Sequence, residues 1–430
     1  MSKKPSEPDF GATGQFELTG VYFADKKADS AFASTLGMDR IKTLLMLGLG
    51  PAHLRVLEQL ARQRRSDLDV TLIHPWSYLT HAHMVPGFVA GHYALENCQI
   101  DIQPLLREAG ARWISARCAG LDANTHSLML DYGGVGPASS ADATGALVQR
   151  PTMLTYDRLS VDTTATPSRR QLEAWLPGAA DHALATQPSE PFVNRWSQTL
   201  NRCKAQAGKT WQFSLLGNGT QAIELAFAMR QGLHKAGIAA RVQLLTLGRE
   251  LAPGLPSGMV KRIKAQLQKQ SIDCVTTEVR GVQAQSIALA NGTVLPSDMT
   301  WLALEQGTPD WLEHSGLAQD ALGHIQVNQH LQSPSHRNVF AAGACVTFGQ
   351  RPQDVGAQAD NAGADLALNL QASLSEHPLA VHRPSERALQ VVTCGAGLGV
   401  AQWGFLGAEG GWAWNLREKA DRAFVAQFQR

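Results

Sequence analysis

An α/β fold is predicted, and two stretches of the chain carry the prediction. The apolar run Leu44–Leu47 has the composition of a buried parallel strand, and Gly48 and Gly50 follow it. Leu54, Leu57 and Leu60 come next at helical spacing, and Val70–Ile73 is a second apolar run. The same order recurs: strand Trp211–Leu216, turn Gly217-Asn218-Gly219, helix Ala222–Leu233, strand Val242–Leu247. A glycine turn between strand and helix lets backbone amides and the helix N-terminus approach a pyrophosphate. Two such units predict two Rossmann-like dinucleotide-binding domains, with a small C-terminal region after them.

The composition sets outer bounds. The chain has 430 residues, room for two or three domains, and 44% are hydrophobic, so each can bury a core. Lysine and arginine total 38 against 37 acids, a net charge of +1, which argues against a nucleic-acid partner. The six cysteines, Cys98, Cys118, Cys203, Cys274, Cys345 and Cys394, form no C-x-x-C pair. That spacing excludes a thioredoxin-like motif and a zinc ribbon, and scattered thiols predict a cytoplasmic protein. No stretch approaches the ~20 apolar residues of a membrane span, and no apolar signal region follows the N-terminal lysines.

Along the chain, residues 1–40 are polar, with Pro5, Pro8 and Gly11, and predict a mobile leader; Met38 offers an alternative start. Residues 41–166 form the first part of domain one. Within it, Trp76–Tyr93 holds His81, His83, Met84, Pro86, Gly87, Gly91 and His92, too much Gly, Pro and His for a regular element. It follows a strand's carboxyl end, where ligands bind in open α/β sheets. Its histidines suit proton relay or anion binding, or are ordinary loop histidines. No Cys or acid joins them at ligand spacing, so no metal is expected. Leu121–Leu130 and Thr152–Val161 read as strands, and Gly133–Gly145 as a hairpin insertion. Pro167–Pro191 is proline-marked, and 167–208 reads as a linker.

Residues 209–303 make the second domain. Leu251–Gln268 predicts a helix with a Pro/Gly-rich entry, and Val279–Leu295 a hairpin around Asn291-Gly292. Asn338–Ala342 is a short strand running into Gly343-Ala344-Cys345, and Val355–Leu370 a Gly/Ala-rich helix suited to close packing; these lie in a returning segment, 304–370. Region 371–430 ends in a helix that repeats Trp412, Leu416, Ala420, Phe424 and Phe428 every four residues, read as one apolar face. Core or homodimer packing is the plain reading of that face. A peripheral membrane contact through 412–428 is the alternative, because Arg417, Lys419 and Arg422 lie beside the aromatics, although Glu418 and Asp421 dilute them.

Two nucleotides bound edge to edge is the layout of a hydride-relay flavoenzyme. The motifs Gly48-Leu49-Gly50-Pro51-Ala52-His53, Met84 through Tyr93, Tyr156-Asp157-Arg158-Leu159-Ser160, Arg249 through Gly254, Val339-Phe340-Ala341-Ala342-Gly343 and Lys419 through Phe424 fit one family. Across 41–430 the chain resembles the pyridine nucleotide-disulfide oxidoreductase superfamily, above all the flavoprotein domain fused to selenide–water dikinases. It is also similar to type II NADH dehydrogenases and sulfide:quinone oxidoreductases. The resemblance implies an FAD domain interrupted by an NAD(P) domain. It implies FAD over Gly48, Gly50, Pro51, Ala52 and His53, with His74, Pro86, Gly343 and Ala344 around it. NAD(P)H would lie over Gly217 and Gly219, with Glu224 near the nicotinamide.

Departures from the family pattern concentrate on the flavin side. Ala344 stands where the family has an aspartate for a ribityl hydroxyl, and His74 where it has an acid for the adenosine ribose. Thr163-Thr164-Ala165 and Ala303-Leu304-Glu305 replace its Ala-Thr-Gly crossings, and Ala222 replaces a glycine. Cys345 has no partner for sulfide chemistry. The expected activity is FAD-dependent oxidation of NAD(P)H, with a quinone or other small molecule as acceptor and FAD weakly held. The alternative is a non-catalytic nucleotide-binding or interaction protein that kept the fold. Glu250 suits a ribose hydroxyl and Arg249 a 2′-phosphate, so NADH and NADPH both stay open.

Overall fold

A computed structural model describes residues 40–429, apart from 134–151, 165, 207, 305–306, 349–350, 353–356, 384–388 and 405. The expected leader, up to residue 39, and nearly all of the Gly133–Gly145 insertion lie outside the described residues. The first sheet is built on β1 (Lys42–Leu47), followed by α1 (Pro51–Arg62) and β2 (Leu68–Ile73). β1 pairs in parallel with β2, Leu44 opposite Val70. Its run Leu44–Leu47 is buried, as a strand covered on both faces requires. α1 opens on Pro51, where the missing N–H costs no hydrogen bond, and buries Leu54, Leu57 and Leu60.

The segment Trp76–Tyr93 is more regular than its composition suggested. It holds a short strand Tyr78–Thr80, a 3₁₀ turn Ala82–Met84 and α2 (Val85–Val89). Pro86 sits in the first turn of α2, the place where proline starts a helix rather than breaks one. β3 (Ala111–Ile114) and β4 (Arg158–Val161) join the sheet. Leu121–Leu130 is not one strand but a turn between Arg117–Asp122 and Ser127–Asp131. Asp122 makes that turn by accepting the amides of Asn124 and Thr125.

Residues 167–208 are not a linker. Arg169–Trp175 is a helix capped reciprocally by Ser168 and Gln171, β5 (Ala183–Ala185) is a strand, and α3 (Ser189–Lys204) buries Phe192, Val193 and Trp196. The prolines punctuate these elements instead of unfolding them. β6 (Trp211–Leu216), α4 (Thr220–Lys235), β7 (Ala240–Leu245), α5 (Ser257–Lys269), β8 (Ile272–Val275) and β9 (Met299–Leu302) complete a second parallel sheet, ordered β5-β9-β6-β7-β8. α5 starts at Ser257, later than the expected Leu251, because Pro253, Gly254 and Pro256 hold the entry open. The Asn291-Gly292 turn forms as expected, and Gly292 has φ +84.

The chain then returns to the first sheet. β10 (Val339–Ala341) pairs with β4, Val339 opposite Leu159, giving the order β10-β4-β1-β2-β3. The first sheet is thus made from two separated pieces of sequence, with the second sheet between them. α6 (Ala357–Leu374) packs on α1, and a Cβ on Gly363 would stand 2.9 Å from Ala52 Cα. β11 (Gln390–Thr393), β12 (Gly399–Trp403) and β13 (Leu406–Gly410) form an antiparallel sheet, and α7 (Gly411–Phe428) closes the chain. Among the described residues no helix is long and apolar enough to cross a membrane.

α7 does not present the single apolar face read from its sequence. Phe424 and Phe428 are 7% and 1% exposed, whereas Trp412 is 51% and Leu416 44% exposed. A four-residue repeat overshoots a helical turn by about 40° per step, so the stripe winds to the opposite side within about four steps. The buried face is Ala413, Asp421, Phe424, Val425 and Phe428. Phe424 stacks on His81 with ring centroids 4.7 Å apart. Phe424→Ser is therefore expected to lower stability by about 3–5 kcal/mol. Thermal denaturation checks this, and an unchanged melting temperature would remove Phe424 from the core.

Candidate functional site

The first glycine turn leaves β1 at Gly48, which has φ +85 and lies so close to β4 that a Cβ would stand 2.4 Å from the Asp162 carbonyl oxygen. Gly50 is the extended residue before α1, with Pro51 as the first helical position. Ala52 is fully buried. His53 is also fully buried. Its Nδ1 lies 2.7 Å from the Gly48 carbonyl oxygen and its Nε2 2.8 Å from Ser160 Oγ. A carbonyl can only accept, so Nδ1 carries the proton and Nε2 accepts from Ser160. Burial pushes this histidine down to about 4, so it stays neutral. The ring staples the turn to β4, and only the His53 main-chain amide faces the helix N-terminus.

That N-terminus already holds a carboxyl group. Asp162, the residue after β4, is 3% exposed, and the His53 amide donates to its Oδ2 at 2.9 Å. The Gly50 and Ala52 backbones beside it also favour the charged form of this carboxyl. A Cβ on Gly50 or on Gly343 would stand 2.3 Å from Asp162 Oδ1, so the carboxylate fills the space both glycines leave. Burial pushes Asp162 up to about 7 against the pull of that backbone. The expectations around Gly48, Gly50 and Gly343 did not include this residue. Its signal was an acid directly before Thr163-Thr164-Ala165, where a strand enters the glycine loop.

Two of the other residues expected on this side, His74 and Ala344, follow strands at the same end of the sheet. His74 follows β2, is 7% exposed, and its Nε2 has no hydrogen-bond partner. Burial, reinforced by His53, pushes it down to about 3. Its carbonyl oxygen accepts from Trp113 Nε1 at 2.8 Å, and its ring meets Trp76 edge-on. Ala344 follows Gly343, and Cys345 beside it is buried with its thiol pushed up to about 11, first by burial. Pro86 is buried in α2. A diphosphate needs the amides that Asp162 occupies, and no carboxylate stands at Ala344 for a ribityl hydroxyl. In this conformation the cradle does not fit the diphosphate of FAD.

The second turn is built differently. A Cβ on Gly217 would stand 2.2 Å from the Ala303 carbonyl oxygen, so the turn nests against β9's end. Gly219 is the extended residue before α4. Asn218 Nδ2 donates to the Glu250 carbonyl oxygen at 2.9 Å, and the Ala252 amide donates to the Asn218 carbonyl oxygen at 2.6 Å. The Arg249–Ala252 loop is thereby fastened beside the turn. Glu224 on α4 is spent elsewhere: its Oε1 accepts the Thr393 amide at 2.8 Å. Burial raises its carboxyl above the usual range, against the Arg417 charge.

Arg417 opens a cluster that sequence spacing could not show. Its Nε donates to Asp421 Oδ2 at 3.0 Å, and its Nη1 to the Val391 carbonyl oxygen at 3.1 Å. Asp421 Oδ1 lies 3.2 Å from His81 Nε2 and 3.6 Å from His83 Nδ1. His81, His83 and Asp421 thus place three metal-capable atoms within 4.8 Å of one another. The expectation that no acid joins these histidines is overturned, because α7 brings Asp421 back across the chain. The cation facing the carboxylate here is Arg417. Burial opposes ionisation of Asp421, but the hydrogen bond from His81, the His83 ring 3.6 Å away and the Arg417 charge hold it well below the usual carboxylate range. Burial, then the Arg417 charge, push His83 down to about 4.

The fold that carries these two turns is similar to that of known proteins. The structure resembles the sulfide:quinone oxidoreductase from Aquifex aeolicus with a TM-score of 0.67 at 16% identity, covering 90% of this chain and 91% of that one. It resembles NDH2 from Plasmodium falciparum, solved in complex with NADH, with a TM-score of 0.67 at 13% identity, covering 90% and 97%. Likeness at that identity shows the fold. In sequence the chain is 22% identical, over 71% of its length, to the internal alternative NAD(P)H-ubiquinone oxidoreductase A1 of Arabidopsis thaliana mitochondria, and it spans 61% of that relative. FAD and NAD(P)H are the cofactors of such oxidoreductases. The family model for pyridine nucleotide-disulphide oxidoreductases matches residues 42–365, and the chain belongs to that family.

Proposed function

We propose that this chain is an NAD(P)H oxidoreductase that takes up FAD weakly and reversibly and delivers electrons to a quinone or another small acceptor. The observation behind it is the pair of glycine turns, one at each parallel sheet, in a chain whose family runs on two dinucleotides. Gly217 and Gly219 are the NAD(P)H side of the proposal. Gly48, Gly50, Pro51, Ala52 and the His53 amide are the FAD side, with His74, Pro86, Gly343 and Ala344 as its surround. When bound, FAD would supply the exchange between two-electron and one-electron chemistry. A second reading, a nucleotide-binding protein without catalysis, is favoured by Asp162 in the cradle and by Ala344.

The test is the flavin-to-protein ratio, with NADH and NADPH consumption measured against a water-soluble quinone. Sub-stoichiometric flavin that rises on adding FAD, with quinone-dependent turnover, is expected. Ala344→Asp restores a charged acceptor for a hydroxyl, a bond of roughly 1.5–3 kcal/mol, and is expected to tighten FAD by about one to two powers of ten. No flavin uptake and no turnover in either protein would leave the non-catalytic reading. Trp403, Leu406, Trp412 and Leu416, all more than 40% exposed, form the apolar surface that we assign to a peripheral membrane contact of a cytoplasmic protein. Co-sedimentation with anionic liposomes, lost in Trp412→Ser, is the expected result; an unaltered pellet would discard the contact.

A further inference from the structure

The geometry points to Asp162 as a built-in competitor for the diphosphate of FAD, so that FAD binds this chain with uptake of a proton and loses affinity as the solution becomes alkaline. The inference rests on the flavin reading above and adds a control to it. At the start of α1 the His53 amide donates to the Asp162 carboxyl at 2.9 Å, and the Gly50 and Ala52 backbones beside it favour the charged form of that carboxyl. Such amides are what a bound diphosphate uses, and the helix dipole favours one anion there, not two. The carboxylate also takes up the room that Gly50 and Gly343 leave open, 2.3 Å from where either Cβ would stand. A dinucleotide entering the cradle must displace the side chain or share the site with it. Sharing is tolerable for the neutral acid and costly for the carboxylate.

The neighbours leave Asp162 as the group that titrates. From α1, His53 is held neutral between Gly48 and Ser160. From β2, His74 is neutral, pushed down to about 3. From the loop after β10, Cys345 is a thiol pushed up to about 11. Among the described residues no side-chain cation lies within ion-pair reach of the carboxylate. With the acid poised at about 7, both of its forms exist around neutral pH.

The sign follows directly. Below the titration point Asp162 is neutral and the diphosphate meets no opposing charge. Above it each pH unit weakens FAD about tenfold, the slope of one proton taken up, so wild type is about tenfold weaker at pH 8 than its acidic limit. Equilibrium dialysis or flavin fluorescence across this range, on the full chain, measures it. Riboflavin, which lacks the diphosphate, is the control and is expected to bind independently of pH. Asp162→Asn and Asp162→Ala should bind FAD with a flat profile and more tightly than wild type at pH 8. If one variant fails to fold, the other and the wild-type profile still decide. FAD affinity that is flat with pH in wild type and equal in the variants would overturn the competition while leaving the flavin site standing. Absence of FAD binding by wild type and both variants at every pH would remove the flavin reading and this inference together.

Discussion

Replacing Arg417 by methionine is expected to rank with Phe424→Ser among the most destabilising single substitutions in this chain. Arg417 holds Asp421 through Nε and the Val391 carbonyl through Nη1, and its charge also acts on Glu224. Both acids are 7% exposed. Removing the cation leaves two carboxylates buried without their counter-charge, and breaking such a pair from one side costs about 3–5 kcal/mol. For a protein of this size the melting temperature should fall by roughly three to six degrees. Arg417→Lys keeps charge but not the forked geometry and should fall between. The pH dependence has a definite sign. Asp421 is depressed in the folded chain, so its contribution is complete above its unfolded value of 3.8 and fades as pH drops below it. Melting curves of wild type and Arg417→Met from pH 3 to 8 check this, and superimposable curves at pH 7 would remove Arg417 from the list of structural supports.

Gly219→Val is expected to abolish nicotinamide-nucleotide binding and leave the fold in place. Gly219 is extended, with φ −80 and ψ 179, before the first turn of α4. Valine adopts that conformation readily, and the lost cap preference costs only about 1 kcal/mol. Its branched side chain would stand where backbone amides must meet a pyrophosphate. An affinity loss on the order of a hundredfold, ~3 kcal/mol, is expected. Calorimetry with NADH and with NADPH, beside a melting curve, separates a blocked site from a broken fold. Unaltered affinity for whichever nucleotide the wild type takes would mean that this turn is not the nicotinamide site.

Much of the fold was legible because its signals are local. The runs Leu44–Leu47 and Trp211–Leu216 are buried strands because a doubly covered parallel strand admits nothing else, and a glycine pair after each is a turn wherever it occurs. The cysteines were read as isolated, and all six are free. The apolar stripe of α7 was misread because counting every fourth residue ignores the drift of a helix with 3.6 residues per turn. The stretch 167–208 was misread because proline marks element starts as well as linkers.

The candidate site divides the same way. The glycines, Pro51 and the missing acid at Ala344 could be named from the sequence, since each acts through its own backbone or its own absence. Asp162 could not be given its place, because nothing in Ser160-Val161-Asp162 says that β4 ends facing the amides of α1. Nor could Asp421 be joined to His81 and His83, or Glu224 to Thr393, across 340 and 169 positions. The sequence by itself determined two dinucleotide-type units and where their turns lie, because periodicity and glycine act within a few residues. Only the tertiary structure decided which side chain fills the first of those turns, because contacts between distant residues are set by how the chain packs.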